Sequence, residues 1–215
     1  LSKIVTGKCL IEGGIGDIKM IDSLSDAKKL KIPAYVRIGV TGHRTLASEQ
    51  LIRESIKSVL GKLDKMLNLI PHTFMAVSPL AEGADRLAAK EILAWPVSED
   101  MDKPGLEAVL PLPEADYLQD FETQESRDEF RELLALAKST HILDKAESRE
   151  TAYENVGHYV VDNCDFLITI WNGKPAAGKG GTAEIMDYSR NLGKHIFWIN
   201  SENGKIKEEK NDGKK

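Results

Sequence analysis

The feature that most constrains this chain is a regular alternation between short apolar runs and stripes of helical spacing. Six strand-like runs stand at residues 34–40 (AYVRIGV), 73–77 (TFMAV), 106–110 (LEAVL), 140–143 (THIL), 166–171 (FLITIW) and 195–199 (HIFWI). The plainest helical stripe carries Ile52, Ile56, Val59, Leu60, Leu63, Met66, Leu67 and Ile70. Shorter stripes carry Leu87, Ala88 and Ile92, then Phe130, Leu133, Leu134 and Ala137, then Val156, Tyr159 and Val160. A strand followed by a parallel neighbour needs a crossover, and helices laid on both faces bury apolar strands. The alternation therefore predicts an α/β fold, a Rossmann-like three-layer α/β/α sandwich with a mainly parallel sheet of about six or seven strands. No repeat at a fixed period and no second core is visible.

This pattern occupies residues 34–200. Residues 1–33 read as an N-terminal extension or linker. Their GGIG (13–16) reads as a turn, because it lacks the third glycine of a dinucleotide fingerprint and follows no convincing strand. Residues 201–215 mix both charges without apolar periodicity, which predicts a charged flexible tail. The chain begins at Leu1, so it reads as compatible with a piece of something longer.

With 215 residues and 41% apolar content, one ordinary core is within reach. The net charge of −5 argues against general binding of nucleic acid or an anionic membrane, while leaving room for a local cationic cradle. Cys9 and Cys164 have neither CxxC nor His/Cys spacing, which points away from disulfides and zinc and fits a reducing cytoplasm. Neither a span of 18 apolar residues nor a leader pattern is present, so no membrane partner is expected, and nothing calls for a cofactor.

Function is most legible after FLITIW, where NGKPAAGKGGT opens into the helical pattern AEIMDYSRNLG. Glycines let main chain approach a ligand closely, and a helix N-terminus offers unpaired N–H groups with partial positive charge. Asn172, Gly178, Lys179, Gly180, Gly181 and Thr182 are accordingly candidate phosphate contacts. Gly173, Gly178 and Lys179 nearly complete a Walker pattern, but Gly180 stands where the magnesium-binding hydroxyl belongs, which argues against a P-loop NTPase.

Ligands of such sheets lie beyond the carboxyl ends of the strands, so the other loops matter too. After the first strand come Gly42, His43 and Arg44, suited to a tight turn and an anion. After the second, Ser78 and Gly83 are expected to line a pocket. Glu82 and Asp85 are expected only to complement the helix dipole, with Arg86 pairing one of them at the surface. Tyr117 or Phe121 either anchors the third loop to the core or stacks on a ligand. Arg149 and Tyr153, four apart, can share one helical face toward a ligand.

Taken in order, GVTGHR, VSPLAEGADRLAA, AVLPLPEADYLQDF, an R…AY segment and NCDFLITIWNGKPAAGKGGTAEI resemble a SLOG-superfamily domain, of the bacterial type grouped near YspA, over residues 34–200. The resemblance implies a Rossmann-like nucleotide-binding domain related to the Lonely guy phosphoribohydrolases, the DNA-binding DprA/Smf proteins and ligand-sensing modules of some channel and bacterial defence proteins. Defence modules of this kind sense nucleotide signals such as cyclic ADP-ribose derivatives and are fused to effectors. Lonely guy enzymes carry PGGxGTxxE, whereas here Glu184 follows Thr182 by two residues instead of three, and one helical residue turns a side chain by about 100°.

The leading expectation is thus a binding module for a phosphate-bearing nucleotide or nucleotide-sugar ligand, acting as a homo-oligomer or on a fused effector domain. The second is N-glycosidic hydrolysis with Glu184 or Glu82 as the catalytic group. The third is DprA-like single-strand binding, which the acidic net charge disfavours.

Overall fold

The computed structural model describes residues 34–99, 101–175 and 181–210. The extension over 1–33, with its GGIG turn, lies outside the described residues, as do Gly178, Lys179 and Gly180.

The alternation becomes a seven-stranded sheet in the order β4-β3-β2-β1-β5-β6-β7. From β1 (Ala34–Gly42) the chain moves stepwise toward one edge through α1 (Glu49–Met66), β2 (His72–Ser78), α2 (Ala84–Leu93) and β3 (Gly105–Leu110). It continues through the short α3 (Glu114–Tyr117), a 3₁₀ turn (Leu118–Asp120) and α4 (Gln124–Ala135) to β4 (Ser139–Ile142). Helix α5 (Arg149–Asp162) then carries the chain back to β5 (Phe166–Trp171) on the other side of β1, and α6 (Thr182–Asn191) leads to β6 (His195–Asn200). Strands β1 to β6 pair in parallel, giving the Rossmann-like three-layer sandwich.

Strand alternation sorts the core into two clusters, one on each face of the sheet. Ile38, Phe74, Leu106, Ile168 and Phe197 pack with α1, α2 and α4, whereas Val77, Val109, Leu167 and Ile196 pack with α5 and α6. Burying both faces explains why the strands read as continuous apolar runs. Glu107 of β3 breaks such a run and is 6% exposed. It accepts from the Arg37 guanidinium at 2.8 Å and the Tyr159 hydroxyl at 3.3 Å, so the buried carboxylate is paired.

The reading of 201–215 as a flexible tail does not hold over β7 (Ile206–Glu209), which pairs antiparallel with β6. Asn200 Oδ1 accepts from the N–H groups of Glu202 and Asn203, and Gly204 takes the left-handed conformation at φ +68°, which closes the hairpin. The acids of this strand are matched: Glu208 to Lys62 and His195, Glu209 to Arg190 and Lys207. A charged edge strand needs no apolar stripe, so periodicity did not reveal it.

Candidate functional site

Successive connections leave β1 toward β2 and return to β5, so strand order reverses between β1 and β5, and a crevice opens where the connections leaving their carboxyl ends diverge. A cavity of about 600 Å³ lies there, within the range of small-molecule sites. Arg44, Asp85, Tyr117, Tyr153, Trp171 and Thr182 are among its walls, drawn from five separate parts of the chain.

Two glycines let these parts converge. A Cβ on Gly42 would lie 2.5 Å from Ala84 Cβ and 2.7 Å from the Ile170 carbonyl oxygen, so only a bare backbone fits between β5 and the start of α2. Gly83 sits at φ +74°, and a Cβ there would come within 2.1 Å of the Arg44 carbonyl oxygen. His43 stitches the same junction. Its N–H donates to Ile170 O at 3.0 Å, its carbonyl accepts from Ala84 N–H at 3.1 Å, and its Nε2 accepts from Asn172 N–H at 3.2 Å. Accepting at Nε2 leaves Nδ1 as the protonated nitrogen, and makes His43 a positioning group for the β5 loop.

The helix starts differ in a way that bears on ligands. Helices α1, α4 and α5 are capped by Ser48, Thr123 and Ser148, whose hydroxyls accept from N–H groups of the first turn. By contrast, α2 and α6 begin at Gly83 and Gly181 with no side-chain cap. These two helix starts are the ones on the cavity wall, at Asp85 and Thr182. Their first-turn N–H groups carry partial positive charge, suited to phosphate oxygens.

The sharpest electrostatic feature is Asp85, buried at 5% exposure. Burial pushes its carboxyl up to about 7, against the opposing effects of Arg44, a hydrogen bond from the Ala81 backbone, and Arg86. Tyr117 is also pushed up, first by burial and then by Asp85. The Arg44 guanidinium stands 5.5 Å from the centre of the Tyr153 ring, a cation–π placement that holds it at the mouth.

Of the candidates, Gly42, His43, Arg44, Tyr153, Asn172, Gly181 and Thr182 come together on the cavity. Ser78, Gly83 and Arg149 do not line it. The Ser78 hydroxyl is fully buried and accepts from Leu80 N–H at 3.0 Å, supporting the positive φ of Leu80. Gly83 acts through the close packing already described. Arg149 is engaged with Asp120 Oδ1 at 2.6 and 2.9 Å and with Asp116 O at 2.8 Å, while the Tyr153 hydroxyl donates to Asp120 Oδ2. Glu184 is exposed and lies outside the lining.

The reading of the acids after β2 needs correction. Asp85 faces the cavity, and Glu82 accepts from the Ser126 hydroxyl. Arg86 is not at the surface but 2% exposed, bound to Leu80 O, to Ser126 and to Glu129, with its guanidinium 4.4 Å from the Phe121 ring centre. Tyr117 and Phe121 anchor their loop in an aromatic cluster with Phe130, and Tyr117 also reaches the cavity. Trp171 was missed as a wall residue. Its indole N–H donates to Lys174 O at 2.9 Å, which holds the ring on the cavity wall.

Among the described residues no group of three or more His, Cys, Asp or Glu side chains could hold a metal ion. No helix there is long and apolar enough to cross a membrane. No protein-family model matches the chain, and a search of curated proteins finds no significant match.

Proposed function

We propose that this cavity binds a phosphate-bearing nucleotide or nucleotide-sugar, and that the chain is a ligand-binding module of the SLOG type. The observation that carries the reading is the convergence of two glycine-started helix N-termini without side-chain caps and of Arg44 on one cavity at the β1/β5 switch point. Phosphate oxygens would take the N–H groups after Gly181, with Arg44 as counter-charge, while Trp171 and Tyr153 offer flat faces for a base. Occupancy would be read by a second copy of the chain or by an attached effector domain.

Hydrolysis of an N-glycosidic bond is the second reading. Neither acid expected to serve it lines the cavity, so it would have to run through Asp85, the acid on the described wall. A thermal-shift panel of AMP, ADP, NAD, ADP-ribose, cyclic ADP-ribose and ribose 5-phosphate, with chromatography of each sample, separates the two. A shift with ligand recovered intact supports the binding module. Released base or nicotinamide that disappears in Asp85→Asn supports the hydrolase, and no shift with any compound overturns both.

A further inference from the structure

Asp85 and an anion in the cavity would both draw on Arg44. The carboxyl sits in the first turn of α2 on the cavity wall, with the Ala81 backbone as hydrogen-bond donor. Of the charges that favour its ionised form, Arg44 acts most strongly and Arg86 less. Arg86 gives its Nε and Nη1 to Leu80, Ser126 and Glu129, while its buried Nη2 has no hydrogen-bond partner. Among the described residues no other cation bears on Asp85: Lys174, also on the cavity wall, pairs with Glu202. From the lead-in to Asp85 comes Glu82, held by Ser126, and from α3 comes Tyr117. The 3₁₀ turn brings Asp120, which claims Arg149 and Tyr153 of α5, and the β1 loop brings His43, whose Nε2 is occupied by Asn172. An ionised Asp85 thus relies on Arg44 more than on Arg86. A phosphate drawn to Arg44 diverts that guanidinium and adds negative charge beside a buried carboxylate.

We propose that the cavity takes up its anionic ligand together with a proton, and that Asp85 carries this proton as a neutral carboxyl facing the ligand. The inference rests on the reading of the cavity as a phosphate site. A neutral carboxyl donates as well as accepts, so the ligand presents an acceptor oxygen, from phosphate or ribose, toward the start of α2. The proton comes from solvent and returns there when the ligand leaves.

Isothermal titration with ADP-ribose tests this, because its diester phosphates stay ionised between pH 6 and pH 8. Titrations at pH 7.5 in buffers of different ionisation enthalpy give the number of protons taken up. With the free carboxyl half-protonated near pH 7, wild type is expected to take up about three quarters of a proton at pH 7.5 and to lose about tenfold in affinity from pH 6 to pH 8. Asp85→Asn, verified as folded by circular dichroism, is expected to bind with no such uptake and with affinity constant within about twofold. This control also separates Asp85 from His43. Binding by wild type without proton uptake, or the same uptake in Asp85→Asn, overturns the coupling and leaves the phosphate site standing. No heat of binding in either protein overturns both.

Discussion

Replacing Asp85 by asparagine should make the fold more stable than wild type at pH 8, with an advantage that shrinks as pH falls. Burial lifts this carboxyl from the ordinary value of 3.8 to about 7, despite Arg44, the Ala81 backbone and Arg86. At 1.36 kcal/mol per pH unit, holding it ionised in the folded state costs about 4 kcal/mol above pH 7. The native state binds this proton more tightly than the unfolded chain does. Its contribution is therefore fully present below 3.8 and is lost progressively as pH rises to about 7. Asparagine keeps the shape without titrating, so it removes that slope. Urea unfolding of both proteins from pH 5 to pH 8, followed by circular dichroism, should show the difference moving by about 2.6 kcal/mol in favour of Asp85→Asn. A difference that stays constant, or that moves toward wild type as pH rises, would refute the placement of Asp85 as a buried, poorly compensated acid.

Three further outcomes follow from the same geometry. Gly83→Ala forces a Cβ to within 2.1 Å of the Arg44 carbonyl at φ +74°, and should lower the melting temperature by roughly 10 °C; a silent substitution would contradict the tight junction. Arg44→Ala removes the cation at the cavity mouth and should weaken ADP-ribose binding by about ten- to a hundredfold in calorimetry, while the fold, judged by its melting curve, stays intact. Glu184→Gln changes an exposed side chain off the lining, so affinity should stay within about twofold; a larger loss would return Glu184 to the site.

The sheet was legible because apolar runs such as FLITIW and LEAVL must be covered on both faces, and that requirement fixes the layered architecture. Strand β7 was hidden because IKEE is held by a hairpin turn and ion pairs that no periodicity encodes. At the site, loops at strand ends could be read one at a time, and glycine marked the places where main chain passes close to main chain. Asp85 and Arg86 resisted this approach. A helix-starting acid and a following arginine look like surface charges, and they become buried only when Tyr117, Phe121 and Phe130 arrive from a later segment. The same distance effect hid the engagement of Arg149, whose partner Asp120 lies 29 residues earlier.

A titration of ADP-ribose into wild type and Gly181→Asp tests directly whether the start of α6 holds the ligand's phosphate. Gly181 has φ −76° and ψ 161°, a conformation open to aspartate, which also caps helices well, so the variant should fold. Its carboxylate would occupy the N–H groups meant for phosphate and repel the anion. Wild type at 100 times its dissociation constant should gain about 2.7 kcal/mol of stability, and Gly181→Asp should gain almost none. Equal stabilisation of the two proteins would contradict the placement of the phosphate.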